Sequence, residues 1–266
     1  MNFEKIRVKL VANGYSTDTA NAKIAHDILI AAIKAAGFHD NVTVKGGVVM
    51  SGITNVARRA TLDMDVDFLR YSLSDVSIRK FIARLNRVSK CGIAISGGIK
   101  SLRQQEYKGK RVHVLITDDT GDSVETKMDV GVHVRDDVEQ TDFGFKVVTN
   151  DGIVRLLVNS KEQIFVEKLK SLLRFGTAST RFKDVYDMYY LRTRVRKTVL
   201  RKYLKTYIYD DSATREKDCD GIVNRLGRVF SNKRYVRDLA NPAFAWMDVA
   251  IKDVTDGLLE FVSSLE

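Results

Sequence analysis

Residues 45–68 constrain the fold of this chain more than any other stretch. They read KGGVVMSGITNVARRATLDMDVDF and follow a short apolar segment at residues 42–44. We predict that this segment is a strand ending at a Gly46–Gly47 turn, where a helix carrying Ser51 begins. Glycine lets the backbone approach a phosphate closely, and the free amides of a helix N-terminus can hold one. The sequence therefore predicts a phosphate-binding turn.

Three aspartates, Asp63, Asp65 and Asp67, alternate along the apolar run that ends this stretch. Successive side chains of a strand point to opposite faces, so we expect the three carboxylates on one face. Carboxylates opposite a phosphate cradle suit Mg²⁺, a hard ion that takes carboxylate and phosphate oxygens together. Spacing alone leaves open whether the metal pair is Asp63 with Asp65 or Asp65 with Asp67. Asp129, inside a later predicted strand, is the candidate third carboxylate.

Composition narrows the class of protein. The 266 residues are 44% hydrophobic and 29% charged, which is typical of a globular protein with one large domain or two modest ones. The formal net charge of +10 favours nucleic acid as a partner without identifying it. We find no run of about 18 apolar residues and no signal peptide, and expect a cytoplasmic protein without a membrane segment. Cys91 and Cys219 match no metal-binding spacing.

Hydrophobic periodicity predicts an α+β protein whose strands come first. We predict helices at residues 18–36 and 75–89, and strands at 93–95, 110–117 and 125–134, the last two joined as a hairpin. After Ser160 the pattern is helical, with helices predicted at 161–174, 181–191, 197–207, 215–229, 233–238 and 244–265. Pro242 suits the start of the last helix. The predicted boundary separates a core at 1–158 from a helical domain at 159–266.

Two charged segments of the helical part are candidate functional sites. The predicted helix pair at 166–191 carries Lys168 on one helix and Asp184 and Asp187 on the next, so a cation and an acid could share one site. The alternative is an ordinary helical hairpin with solvated charges. The segment at 192–205 could grip an RNA backbone or be a solvated helix face. Its candidate nucleic-acid-binding residues are Arg192, Arg194, Arg196, Lys197, Arg201 and Lys202.

These motifs together resemble the AbiEii/AbiGii toxin family of abortive-infection nucleotidyltransferases. The resemblance rests on the order KGG, S and RAT-x-DMD, then KMDVGV, then EKL and STRFKDVYDMYYL, over residues 40–191. It implies a polymerase-β-like core with a mixed sheet flanked by helices, followed by a helical C-terminal domain. It also implies Mg²⁺, an NTP substrate and a cognate antitoxin. Some relatives add nucleotides to the 3′ end of tRNA and so block aminoacylation.

The resemblance assigns roles to particular residues. Gly46, Gly47 and Ser51 match the phosphate-binding motif. Asp63 and Asp65 match the metal pair, with Asp67 outside it. The remaining matches are Asp129 to the third acid, Lys168 to the lysine of the EKL helix, and Asp184 to the acid of the segment that follows it. We expect Lys168 to bind the NTP and both Lys168 and Asp184 to be catalytic.

The function predicted from the sequence is an Mg²⁺-dependent nucleotidyltransferase toxin of a toxin–antitoxin or phage-defence system. It would transfer a nucleotide from an NTP to RNA, with the tRNA acceptor end as the expected target. One alternative is nucleotidylation of a protein. The other is a non-catalytic nucleotide- or RNA-binding module that has kept the fold.

Overall fold

The chain folds into two compact units, Met1–Asn159 and Ser160–Glu266, in a computed structural model. The structure describes residues 1–102, 109–133, 138, 140–148 and 152–266. The first unit holds a mixed sheet with flanking helices, and the second is helical. No helix within the described residues has both the length and the apolar character needed to cross a membrane.

The first unit holds four helices in its first half and six consecutive strands in its second half, among the residues that the structure describes. In chain order they are α1 (Phe3–Ala12), α2 (Thr17–Ala35), β1 (Val42–Lys45), α3 (Gly46–Thr54), β2 (Asp63–Phe68), α4 (Asp75–Val88), β3 (Gly92–Ile95), β4 (Lys100–Leu102), β5 (Gly109–Thr117), β6 (Ser123–Val132), β7 (Thr141–Lys146) and β8 (Ile153–Val158). A 3₁₀ turn at Ala57–Arg59 lies between α3 and β2.

The described strands form one sheet in the order β3-β5-β6-β2-β1-β8-β7, with β4 pairing the same edge of β5 as β3 does. The pairs β2 with β6 and β1 with β8 are parallel, and the remaining pairs are antiparallel. Strands β1, β2 and β6 are therefore neighbours at the centre of the sheet. Their order brings residues from three distant parts of the sequence side by side.

One face of these central strands is apolar and buried. Met64, Val66, Met128 and Val130 are at most 1% exposed, and helix α2 packs against β6 and β8. Burying a side chain of this size contributes about 1.5–3 kcal/mol. Because side chains alternate along a strand, the odd-numbered residues of β2 and β6 point to the opposite face.

The second unit is a bundle of helices. They are α5 (Lys161–Phe175), α6 (Phe182–Leu191), α7 (Lys197–Leu204), α8 (Cys219–Phe230), α9 (Lys233–Leu239) and α10 (Ile251–Ser263). The side chain of Ser160 begins α5 by accepting a hydrogen bond from the Gln163 amide at 3.1 Å. The Tyr186 hydroxyl donates to the Leu239 carbonyl at 3.1 Å and so joins α6 to α9.

The predicted fold class, a mixed sheet flanked by helices and followed by a helical region, is confirmed. The last helix is a correction, since it begins at Ile251 and not at residue 244. Asn241 explains the difference, because its side chain accepts from the Ala243 amide at 2.9 Å in a local turn that competes with a helix. Helix α8 likewise begins at Cys219 and not at residue 215. Val134, the predicted end of β6, lies outside the described residues.

Candidate active site

The turn between β1 and α3 places backbone amides beside a carboxylate. Gly46 has a φ of +64°, a left-handed conformation that favours glycine. A Cβ atom at Gly46 would lie 2.5 Å from Asp65 Oδ2, so glycine is also required for space. The side chain of Lys45, the N-cap residue of α3, makes no capping hydrogen bond, and the first amides point out of the helix, as in anion-binding helix ends.

The registers of the central strands bring four carboxylates to one face of the sheet. In the parallel β2–β6 pair, Asp65 is the partner of Asp129, Asp63 that of Lys127, and Asp67 that of Gly131. In the antiparallel β1–β2 pair, Lys45 is the partner of Asp65. We call Asp63, Asp65, Asp67 and Asp129 the carboxylate face. The predicted alignment of the aspartates on one side of β2 is present.

Arg111, on β5, is the principal cation of the carboxylate face. Its Nε and Nη2 atoms donate to the two oxygens of Asp129 at 2.7 and 2.8 Å, a bidentate ion pair. The hydrogen bonds to Asp129 raise the pKa of Arg111, and the charges of Asp63 and Asp65 act in the same direction. The Arg111 guanidinium group therefore interacts electrostatically with three of the four carboxylates.

Asp67 is held apart from the other carboxylates by its own partner. Its Oδ1 atom lies 2.7 Å from Lys45 Nζ, and Asp67 is 7% exposed. Gly131 makes the room for this pair, because a Cβ atom there would overlap the Asp67 carboxylate and approach Lys45 Nζ. Asp67 is thus buried in an internal ion pair, whereas Asp63 and Asp65 are only partly buried; this difference favours Asp63 with Asp65 as the pair that faces a ligand.

The donor set fits a hard divalent ion such as Mg²⁺. Asp63 Oδ1 is shielded from solvent and accepts no hydrogen bond, although Lys127 Nζ lies 3.0 Å away as an ion-pair partner. Among the described residues, no three His, Cys, Asp or Glu side chains converge closely enough to hold a metal ion by themselves. Mg²⁺ is commonly bound by one or two carboxylates together with substrate phosphates, and Asp63 and Asp65 can supply those two.

Gly47 and Ser51 lie on the other side of α3's first turns. A Cβ atom at Gly47 would be 2.6 Å from Thr61 Oγ1, so Gly47 is a close packing position. Ser51 lines a cavity of about 150 Å³ together with Thr61, His26 and Asp27, and no member of the carboxylate face lines it. Gly46 therefore lies beside the carboxylate face, whereas Ser51 lies in the wall of a cavity that the carboxylate face does not line.

Two titratable side chains of this cavity are fully buried. His26 Nε2 lies 3.0 Å from Thr126 Oγ1, and burial lowers the pKa of His26 to about 4. Burial raises the pKa of Asp27, although Lys23 lies 2.6 Å away and opposes the shift. Asp27 Oδ2 also accepts from the Val148 amide at 2.7 Å. His26 thus joins α2 to β6 and Asp27 joins α2 to the segment after β7, so we assign the pair a structural role.

In the second unit, the structure brings the predicted cation and acid of the α5–α6 hairpin together. Lys168 Nζ forms ion pairs with Asp184 and, at 2.9 Å, with Asp187 Oδ2. The Asp187 side chain is 0% exposed, whereas that of Asp184 is 17% exposed. Asp187 therefore holds the lysine inside the unit, and Asp184 is the acid that solvent or a ligand can reach.

The basic segment at 192–205 is largely committed to contacts within the second unit. Arg192 and Arg194 lie over the rings of Tyr189 and Tyr190, at 3.4 and 3.8 Å from the ring centroids. Other contacts are made by Arg196 with Glu162, by Lys197 with Ser264, by Arg201 with the carbonyls of Leu265 and Glu266, and by Lys202. Most of these side chains are nevertheless exposed, so each makes a contact within the unit and still faces solvent.

Sequence reasoning missed Arg111, Lys45, Lys127 and Gly131. Arg111 had a usable signal, because counting outward from the predicted hairpin turn at 118–122 pairs Arg111 with Asp129. The other three depend on which strands become neighbours. A parallel β2–β6 pair joins segments about 60 residues apart, and no local pattern specifies that choice.

A mixed sheet with a glycine turn beside aligned carboxylates is the arrangement of a nucleotidyltransferase. Residues 27–244 match the family described as nucleotidyl transferase AbiEii toxin, type IV toxin–antitoxin system, and the chain belongs to this family. It is a transferase, and membership implies a nucleotide substrate and an antitoxin partner.

Two further comparisons complete these findings. No protein among curated sequences matches the chain. A solved structure of an antigenic nucleotidyltransferase-like protein from Paracoccidioides brasiliensis is similar at 13% sequence identity with a TM-score of 0.45. The similarity covers 80% of this chain and 92% of that one.

Proposed function

We propose that this enzyme uses Mg²⁺ and an NTP to add a nucleotide to the 3′ acceptor end of tRNA, which blocks translation. The proposal places the protein in the cytoplasm, as the toxin of a phage-defence system with a cognate antitoxin. The observation that supports it most is the position of Asp65, between Asp129 on the next strand and the Gly46 turn. That position brings carboxylate oxygens, the proposed metal ligands, next to the amides proposed to bind phosphate.

Each part of the carboxylate face has a proposed task. The amides of the first turn of α3 bind substrate phosphate, and Gly46 lets the chain pass close to Asp65. Asp63 and Asp65 hold the divalent ion, with Asp129 as the third carboxylate of the site. When bound, the ion neutralises the charge that develops on the transferred phosphoryl group.

The proposed reaction exchanges one bond at the α-phosphorus of the NTP. The terminal ribose hydroxyl oxygen of the RNA bonds to this phosphorus, and the bond from the phosphorus to the bridging oxygen breaks. Pyrophosphate leaves, and the hydroxyl proton passes to Asp129. Arg111 fixes the orientation of Asp129 through two hydrogen bonds, so its carboxylate does not have to be ordered during the reaction.

RNA as acceptor is supported by the charge of the chain. The net charge of +10 favours association with a polyanion, and the six candidate basic residues between Arg192 and Lys202 are proposed RNA contacts. In the second unit, Lys168 and Asp184 are proposed catalytic residues. The exposed fraction of Asp184 leaves one acid of that group accessible.

The test is transfer of label from each of the four α-³²P NTPs to total tRNA by the purified chain. We expect Mg²⁺-dependent labelling of tRNA by the wild type and at least a hundredfold loss in Asp65→Asn, which removes a positioned charge. Asp142→Asn is the matched control, since this carboxylate is also on a strand of the first unit. It forms an exposed ion pair with Arg155, so the variant should keep wild-type activity.

Different outcomes separate the candidate functions. Label that migrates with protein would favour protein nucleotidylation. A growth defect that survives Asp63→Ala would favour a non-catalytic binding module. Absence of transfer with all four NTPs, together with normal growth on expression, would overturn the proposal.

A further inference from the structure

The second unit contains a basic pocket that none of the predicted site residues lines. It lies where the end of α5 meets residues 213–218 and the first turns of α8, and its volume is about 630 Å³. Five basic and two acidic side chains line it. We call it the α8 pocket; the charged residues are Arg174, Arg215, Glu216, Lys217, Asp218, Arg225 and Arg228.

Part of the positive charge of the α8 pocket has no counterion among the described residues. Arg215 and Arg228 are exposed and make no ion pair or hydrogen bond among the described residues. Lys217 Nζ donates to the carbonyls of Tyr209 and Asp211, both at 2.9 Å, and these acceptors carry no net charge. Cations held together in excess over the neighbouring carboxylates attract a polyanion.

One arginine of the pocket is fixed in place. Arg225 donates to the Leu173 carbonyl over long distances of 3.4 Å. Its guanidinium lies against Gly176, where a Cβ atom would come within 2.6 Å of Nη2. Gly176 has a φ of +54°, a left-handed conformation that favours glycine. Glycine at this position therefore permits both the turn after α5 and the close contact with Arg225. Arg225 is therefore a preorganised cation whose present hydrogen bonds are long and weak. It can donate to a stronger acceptor, such as a phosphate oxygen.

The lining also indicates which part of a nucleic acid the pocket would bind. Its other described lining residues are Leu173, Ala213, Thr214, Gly221 and Asn224, and none of the described lining residues is aromatic. Single-stranded bases are usually bound by stacking on aromatic rings, whereas phosphates are bound by Arg and Lys. The pocket therefore suits a sugar–phosphate backbone rather than a base or a free nucleotide.

We propose that the α8 pocket binds the phosphodiester backbone of the RNA acceptor. This inference rests on the proposed function, because it assumes an RNA substrate. It adds a docking surface distinct from the 192–205 segment, in which the arginines already pack on tyrosine rings, pair with Glu162 or donate to the carbonyls of Leu265 and Glu266. Arg215 and Arg228, which have no internal partners, are the residues expected to contribute most.

The test is the salt dependence of tRNA binding by the full chain, measured by filter binding between 50 and 300 mM salt. The double variant Arg215→Gln/Arg228→Gln removes two cations without breaking an internal contact. If each contacts one phosphate, the slope of log K against log salt should become shallower by about 1.4–1.8. At physiological salt this corresponds to a loss of affinity of roughly 10- to 30-fold.

The matched control is Arg234→Gln/Arg237→Gln on α9. These arginines are also exposed in the same unit, but both lie near Asp238, at 3.9 and 3.1 Å. The control should keep the wild-type slope, and both double variants should keep wild-type NTP binding. If the pocket variant binds tRNA with the affinity and salt slope of the control, and the wild type labels tRNA, the inference about the pocket is overturned and the proposed function is not. A wild type that neither binds nor labels tRNA would refute the RNA substrate and the pocket together.

Discussion

Replacing Gly46 by alanine tests the geometry of the turn, and Gly97→Ala provides a matched control. Both glycines have positive φ, +64° and +83°. An alanine in this region costs about 1–2 kcal/mol of stability at either position. The two sites differ in their surroundings, because a Cβ atom at Gly97 meets nothing within 4 Å, whereas one at Gly46 lies 2.5 Å from Asp65 Oδ2.

The size of the effect on activity follows from that contact. An ordinary van der Waals contact begins at 3.4 Å, so the Asp65 carboxylate must move by about 1 Å in Gly46→Ala. A misplacement of about 1 Å at a reacting group can lower the rate by about a hundredfold. Crowding adds about 1–3 kcal/mol of destabilisation that Gly97→Ala does not share.

The assay combines urea unfolding with the initial rate of nucleotide transfer at 25 °C. Domains are stable by about 5–15 kcal/mol, and both variants should therefore remain folded at this temperature. We expect Gly97→Ala to transfer within about twofold of the wild type and Gly46→Ala to lose about a hundredfold in rate. Equal rates for the two folded variants would refute the argument that Asp65 must occupy its present position beside the turn.

Three further predictions concern stability. Because the pKa of His26 is lowered to about 4, the unfolded chain binds more protons below pH 6.5. The contribution of His26 to the free energy of unfolding should thus fall by about 3 kcal/mol from pH 6.5 to pH 4, while the raised pKa of Asp27 acts in the opposite direction. A series of urea curves should show the His26 contribution as the difference in pH dependence between the wild type and His26→Gln. Asp187→Ala should cost about 3–5 kcal/mol, because it removes a fully buried partner of Lys168; Asp184→Ala should cost less in the same urea assay. Gly131→Ala should cost about 1–3 kcal/mol through overlap with a neighbouring carboxylate, and a loss below 0.5 kcal/mol in urea would contradict the packing of that strand.

Local patterns predicted the parts of the site that depend on local geometry. The strand that ends at Lys45, the helix that begins at Gly46 and the common face of the β2 aspartates all follow from glycine conformations and strand alternation. The β5–β6 hairpin followed from its polar turn. Each of these features is set by residues close in sequence, so no knowledge of the tertiary structure is needed.

The rest of the site depends on which elements become neighbours. The partners of Asp63 and Asp67 follow from the order of β1, β2 and β6 in the sheet. The position of Ser51 follows from how α3 packs against its surroundings, since the helical pattern alone does not say which side faces the sheet. Strand β7 was missed because TDFGFK is short and half polar, and it pairs only with β8 among the described strands.

The central claim is that Asp63 and Asp65 bind the metal of a nucleotide substrate beside the Gly46 turn. Anomalous diffraction from crystals of the chain grown with Mn²⁺ and a non-hydrolysable NTP tests it most directly. We predict a manganese peak about 2.0–2.6 Å from carboxylate oxygens of both residues, with Asp67 still paired to Lys45. A peak elsewhere, with Asp63 still paired to Lys127, would contradict the account.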